Sequence, residues 1–370
     1  MTASGDSPFP ELKKTHTMAR TGRPYTDYKP PAAAPVWAAI EGYGRFHVLV
    51  AALELGTFEA LARGDDRTGD ELAAELEVSA PHLTTLLEGV VALGFLEHHH
   101  GRFSLNDTAK RYLLVDGPAS MVDLVPVSPG PLANWSDLTD TVRTGSPPDP
   151  IDDDPVAFYR PLVTGTFTTI FRCASRADRQ LRYSALDTPR VLDLGAGAAP
   201  WSCAILAANP GATAIVNDLA GVVDLAEAKL AEHGVGDRAE IRPGDYLEID
   251  VEDGAYDIVV LGHILRAESD DRARALIDRA ARALKPGGRV LIGDYFADRQ
   301  RALEPHALMM GVTMMASTRH GRVFRFVDLA TQLRGAGFEA LRLIEPIGFQ
   351  MVAVGTLAPP TAARPGGTHP

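Results

Sequence analysis

The sequence predicts an α/β chain: a domain built on a parallel sheet, preceded by a smaller, mostly α-helical domain. Three observations predict it. The run Val191-Leu192-Asp193-Leu194 reads as a short buried strand that breaks at Gly195 and re-enters a helix near Trp201. Apolar strand-like runs and helical patterns then alternate to about residue 357. Ahead of them, residues 36–105 carry three helical patterns followed by two short strand patterns.

Composition bounds what such a chain can do. With 370 residues it can hold two domains and a large buried core. A net charge of −12 argues against nucleic acid or an anionic membrane as partner. No apolar run is long enough to span a bilayer, and the N-terminus lacks a basic-then-apolar leader pattern. Two cysteines, Cys173 and Cys203, give no disulfide framework and suit a reducing cytoplasm. Cys203 reads as a small buried apolar residue.

In chain order, residues 1–35 read as a mobile arm rich in Pro, Ala, Thr and Gly. Trp37, Ile40, Tyr43, Phe46, His47 and Val50 recur at helical steps, and Gly56 closes that segment. Thr68-Gly69-Asp70-Glu71 opens a second helix with a capping-type start, and Ser79-Ala80-Pro81 opens a third. Two strands, Phe95–Glu97 and Gly101–Leu105, flank a tight loop carrying His98, His99 and His100. Helices followed by a two-stranded wing over 36–115 form a winged-helix pattern. Its charges argue against DNA: between Asp65 and Glu97 there are eight acids and one base, Arg67. The histidine triplet reads as a solvated wing tip, because adjacent residues point different ways. Residues 116–185 read as a linker, with Trp135 starting a short helix, and then a long helix from Pro155.

The glycine turn has distinguishing features. A dinucleotide fingerprint wants a third glycine where Pro200 stands. The next strand, Ala214–Asp218, ends in an acid 25 residues after Asp193, placed to accept hydrogen bonds from both hydroxyls of a ribose. Arg242-Pro243-Gly244-Asp245-Tyr246 closes a third strand, where a carboxylate can meet an adenine amino group. Tyr256–His263 is the fourth strand, and Leu284-Lys285-Pro286-Gly287-Gly288-Arg289 is a helix end and turn before the fifth.

This ordered set resembles the class I S-adenosylmethionine-dependent methyltransferases over residues 186–357, with a Rossmann-like seven-stranded sheet and a tail at 358–370. Ala52–Phe58, Leu93–Leu96 and Ser104–Ala109 resemble the dimerisation domain of the hydroxyindole, plant-type and bacterial polyketide small-molecule O-methyltransferases. The resemblance implies a cytoplasmic homodimer acting on a small aromatic or polyketide-like metabolite. It implies a cofactor site of Asp193, Gly195, Gly197, Asp218, Leu219, Gly244, Asp245, Tyr246, Gly262 and His263. It also implies a substrate wall of Phe167, Phe171, His306, Met310 and Met314. No metal is expected, because the spacing of the candidate ligands is not a metal motif. For the two phenylalanines, plain interdomain core is an equal reading.

One position departs from that family. Its base is a histidine in a Leu-His pair after strand four; here the pair is Leu265-Arg266. Arginine stays protonated and cannot take a proton at neutral pH. Arg266 can instead bind a substrate carboxylate or enolate while pairing with Asp294. His263 can serve as base. Alternatively the nucleophile is carbon, nitrogen or an already ionised phenol and needs none. A non-methylating reaction, a metal site of His263, Asp294, His306 and His320, and an S-adenosylmethionine-sensing winged-helix regulator are the rival readings.

Overall fold

The computed structural model describes residues 33–64, 66–128, 132–297, 305–347 and 350–359. The expected arm and tail lie almost wholly outside the described residues. The chain divides into two compact units, Met1–Phe46 and His47–Pro370. Helix α1, Ala34–Glu54, begins in the first unit, where Val36, Trp37, Ile40 and Tyr43 are exposed.

In the second unit α1 ends before Gly56, whose φ of +71° is left-handed and breaks the helix. A helix that the sequence pattern does not announce follows, α2, Thr57–Ala62. Helix α3, Gly69–Leu76, starts with the expected capping box, Thr68 Oγ1 accepting from Glu71 N while the Glu71 carboxylate accepts from Thr68 N. Then come α4, Ala80–Ala92, the wing strands β1, Leu96–His99, and β2, Arg102–Leu105, and α5, Asp107–Tyr112. Phe58, Leu61, Leu72, Leu83, Leu87, Val90 and Phe103 form their common core. The wing corrects the reading of the histidines. Only His100 sits at the tip, with Gly101, both at positive φ as a two-residue hairpin turn requires. His98 lies within β1 and stacks on Phe103 across the ladder at 4.3 Å.

Two short helices, α6, Leu132–Ser136, and α7, Leu138–Thr144, lead to α8, Pro155–Leu181, which Asp154 caps. Trp135 lies inside α6 rather than at its start. The sheet strands are β3, Arg190–Leu194; β4, Thr213–Asp218; β5, Ala239–Pro243; β6, Tyr256–Leu261; β7, Leu284–Asp294; β8, Phe338–Ile347; and β9, Gln350–Leu357. Their spatial order is β5-β4-β3-β6-β7-β9-β8, all parallel except β9, which runs antiparallel to both neighbours. The Lys-Pro-Gly-Gly run is not a turn ahead of β7. It is a bulge inside the strand, with the register jumping between the pairs Tyr256↔Leu284 and Ile258↔Arg289.

Both faces of the sheet are covered, so alternate strand residues point into two different cores. Val191, Val216, Ile258 and Val260 pack with α8, α9 (Pro200–Ala208) and α10 (Val223–Glu232). Leu192, Leu194, Ile215, Val259 and Leu261 pack with α11 (Asp270–Ala283) and α13 (Phe326–Gly335). Helix α12, Pro305–Ser317, precedes α13. Neighbouring β3 and β6 lead to helices in opposite layers, which opens a crevice beyond their carboxyl ends.

Candidate active site

A cavity of about 970 Å³ fills that crevice. Its two ends are built differently. At one end the backbone does the shaping. Gly195, Gly197 and Ala199 all adopt left-handed φ, from 59° to 63°, so the chain coils tightly between β3 and α9. A Cβ on Gly195 would stand 2.6 Å from Ile264 Cγ2, and one on Gly197 would stand 2.9 Å from Val163 Cγ1. The Asp218 carboxylate locks the coil, accepting from Gly197 N at 2.6 Å and Leu219 N at 2.7 Å. Asp193 is 1 % exposed and accepts from Ser202 Oγ at 2.6 Å. Burial pushes its carboxyl up to about 7, the Ser202 hydrogen bond opposing and Asp218 adding to the rise. Burial likewise raises Asp218, against its two backbone hydrogen bonds.

Asp193 and Asp218 line this end, with Asp245 nearby. Three acidic side chains there offer acceptors for the ribose hydroxyls and cationic groups of S-adenosylmethionine, so the residues present fit that cofactor. Asp245 is already engaged. It accepts from Leu247 N at 2.8 Å and pairs with Arg272 at 2.9 Å. Arg272 in turn pairs with Glu268, which accepts from the Tyr246 hydroxyl.

At the other end side chains do the shaping. Arg266 is 15 % exposed, and its Nη1 donates to Asp294 Oδ1 at 3.0 Å. The guanidinium carbon stands 5.5 Å from the centre of the Tyr295 ring. Asp294 is 3 % exposed. Burial alone would raise it, but Arg266 and His263 outweigh that and hold it below the usual carboxylate range. His263 Nδ1 lies 3.8 Å from Asp294 Oδ1. Burial, with Arg266 nearby, lowers His263 below its ordinary value and leaves the imidazole neutral at pH 7. Tyr159 is raised to about 12, first by burial, so it stays a hydroxyl donor. Arg322 N donates to Arg266 O at 2.7 Å, and Gly321 packs against that same carbonyl, which fixes the backbone at 266.

The structure brings most of the expected residues together. Asp193, Gly195, Gly197, Asp218, Leu219, Asp245, Tyr246, Gly262, His263, Arg266, His306 and Met310 line the cavity. Gly244 and Asp294 stand behind it. Gly244 ties β4 to β5, its N donating to Asp218 O, and Asp294 backs Arg266. Three expectations fail on position. Phe167 and Phe171 stack on each other and on His233, in the core behind the sheet. The face of α8 that meets the cavity carries Tyr159, Leu162, Val163, Thr166, Thr169 and Ile170 instead. Met314 is buried beside Gly321 and is not on the cavity lining, while Met309, Met310 and Thr313 of α12 supply the wall. Sequence reasoning missed Thr166 and Thr169, although polar residues three apart on the same helix as the apolar ones were a readable signal. Among the described residues no group of three or more His, Cys, Asp or Glu is placed to hold a metal ion.

Comparisons with known proteins agree with this geometry. Residues 37–114 match the O-methyltransferase dimerisation domain, and residues 173–339 match the O-methyltransferase domain. The chain is 28 % identical over 316 residues to the 3-hydroxy-5-methyl-1-naphthoate 3-O-methyltransferase of Streptomyces sahachiroi, covering 82 % of this chain and 88 % of that enzyme. It is 30 % identical over 316 residues to the L-tyrosine C(3)-methyltransferase of Streptomyces lavendulae, covering 80 % of this chain and 84 % of that enzyme. The fold matches human N-acetylserotonin methyltransferase, solved in complex with S-adenosylmethionine, with a TM-score of 0.75 and 20 % identity, over 91 % of this chain and all of that one. No helix among the described residues is long and apolar enough to cross a membrane. Both matched domains and a relative 30 % identical over 80 % of this chain show that the chain belongs to the S-adenosylmethionine-dependent O-methyltransferase family.

Proposed function

We propose that this protein methylates a small aromatic or polyketide-like metabolite, as a cytoplasmic homodimer. The observation that carries the reading is the two-ended cavity, with carboxylates and a glycine coil at one end and an aromatic and methionine wall at the other. When bound, S-adenosylmethionine supplies a sulfonium methyl already activated for attack. The chain's own residues then have three tasks. Asp218 and the turn at 195–199 orient the cofactor. Tyr159, Ile170, Met309 and Met310 exclude water and hold an aromatic ring. His263, neutral and lining the cavity, is a group able to accept a proton there, alongside His306 and His320 on the same lining. The naphthoate and tyrosine named for the two relatives are aromatic acceptors of the expected kind.

The test is release of S-adenosylhomocysteine from purified protein given a panel of hydroxynaphthalenes and hydroxyanthraquinones. Calorimetry that detects no binding of S-adenosylhomocysteine would overturn the reading. Carbon methylation is a second reading, favoured by Arg266, which offers no basic nitrogen where a phenol proton must leave. Product spectroscopy separates a methoxy group from a ring methyl. Dimerisation is supported by the matched dimerisation domain and by the exposed Val36, Trp37, Ile40 and Tyr43 of α1. Light scattering should give about twice 39.6 kDa. The reducing compartment is supported by two buried free thiols, Cys173 and Cys203.

A further inference from the structure

Arg266 is held from one side only. Its Nη1 binds Asp294, which does not line the cavity, while the arginine itself does. A guanidinium carries five N–H donors. Among the described residues the remaining donors of Arg266 have no protein partner, and none of its nitrogens is buried away from the cavity without one. These donors open onto the cavity, where a ligand oxygen can accept from them in place of water.

The surrounding groups narrow the ligand. Tyr159 lines the same cavity as Arg266, and its hydroxyl remains protonated and can donate. His263 is neutral. The acids facing this end are engaged elsewhere: Glu268 with Arg272 and Tyr246, and Asp152 with the Arg319 backbone N–H. Asp294 stands behind the guanidinium and holds its Nη1 by one hydrogen bond. What remains is a planar fork of donors beside a hydroxyl donor, in a cavity walled by methionine and aromatic side chains. A fork of two parallel N–H groups matches two oxygens in one plane.

We infer that the molecule entering this cavity carries a carboxylate, which Arg266 grips through its free donors with Tyr159 as second donor. The inference rests on the reading that this cavity takes the methyl acceptor, and it names the acceptor as an aromatic acid. Asp294 is the positioning residue for Arg266.

The experiment is calorimetry on the full-length protein saturated with S-adenosylhomocysteine. The probes are 1-naphthoate, 2-naphthoate and anthracene-2-carboxylate, each against its neutral primary amide. At least one acid should bind about tenfold or more tighter than its amide, since a charge-assisted pair is worth more than a factor of ten. In Arg266→Gln that preference should vanish while S-adenosylhomocysteine still binds. Arg266→Lys should not restore it. Because Arg266→Gln strands a buried Asp294, the double variant Arg266→Gln/Asp294→Asn serves if the single one does not fold. Acids that bind no better than amides, no binding by any acid, or a preference that survives removal of the guanidinium would each overturn the inference. Failure of the wild-type protein to bind S-adenosylhomocysteine would instead overturn the cofactor reading beneath it.

Discussion

The two ends of the cavity are held by opposite means. The cofactor end is backbone: three left-handed residues within five, pinned by the Asp218 carboxylate through bonds spanning 21 residues or fewer. The acceptor end is side chain: Tyr159 on α8, Arg266 after β6, Asp294 closing β7 behind it and Met310 on α12, residues far apart in the sequence. The difference teaches what each end can tolerate. A backbone cradle is fixed by a few residue types and fails when one changes. A side-chain wall can be rebuilt without disturbing the cradle.

The strongest way to break that comparison is at Asp218. Asp218→Ala removes the acceptor of the Gly197 and Leu219 N–H groups and the oxygens meant for ribose. Two charge-assisted hydrogen bonds at about 1.5–3 kcal/mol each predict a loss of roughly 10²–10⁴-fold in S-adenosylhomocysteine affinity by calorimetry. A loss below about tenfold would mean that the cradle does not depend on its carboxylate.

Asp193 sharpens it through pH. Its folded value, about 7, lies above the ordinary carboxylate value near 3.9. The folded state therefore holds the extra proton, so this group's contribution to stability is full below about pH 4 and is lost as pH rises to about 7. Wild-type stability should fall relative to Asp193→Asn by roughly 2–4 kcal/mol over that window in denaturant titrations at stepped pH. Parallel curves for the two proteins would show that Asp193 ionises freely.

The smallest effect belongs to Phe167, which both ends leave alone. Phe167→Leu should cost about 1–1.5 kcal/mol of stability through its lost stack with Phe171 and His233. It should leave the Michaelis constant for the acceptor unchanged. A raised constant with unchanged stability would put that ring back in the pocket wall.

The same contrast explains what was legible. Gly195, Gly197 and Asp218 could be read from the sequence because their geometry is local: a strand, a glycine break, and an acid one strand later. The pairing of Arg266 with Asp294 was readable only through resemblance, since 28 residues and a whole helix separate them. Phe167 and Phe171 misled because α8 is covered on two sides, so its aromatic residues do not mark which side is the cavity. Helix α2 went unread because six residues give too little periodicity. The bulge in β7 was read as a turn, since Pro-Gly-Gly punctuates a chain whether or not the ladder resumes beyond it.

The order of the last strands carries a consequence for synthesis. β8 leaves the ribosome before β9, yet β9 lies between β7 and β8, so β8 has no place in the sheet until residues 350–357 have emerged. Until then the nascent chain shows the bare edge of β7, whose Val290, Leu291 and Ile292 are fully covered in the finished fold. An unpaired apolar edge is the kind of surface that chaperones hold and aggregates recruit. Translation pauses between the codons of β7 and those of β9 should therefore lower the yield of folded protein more than pauses before β7.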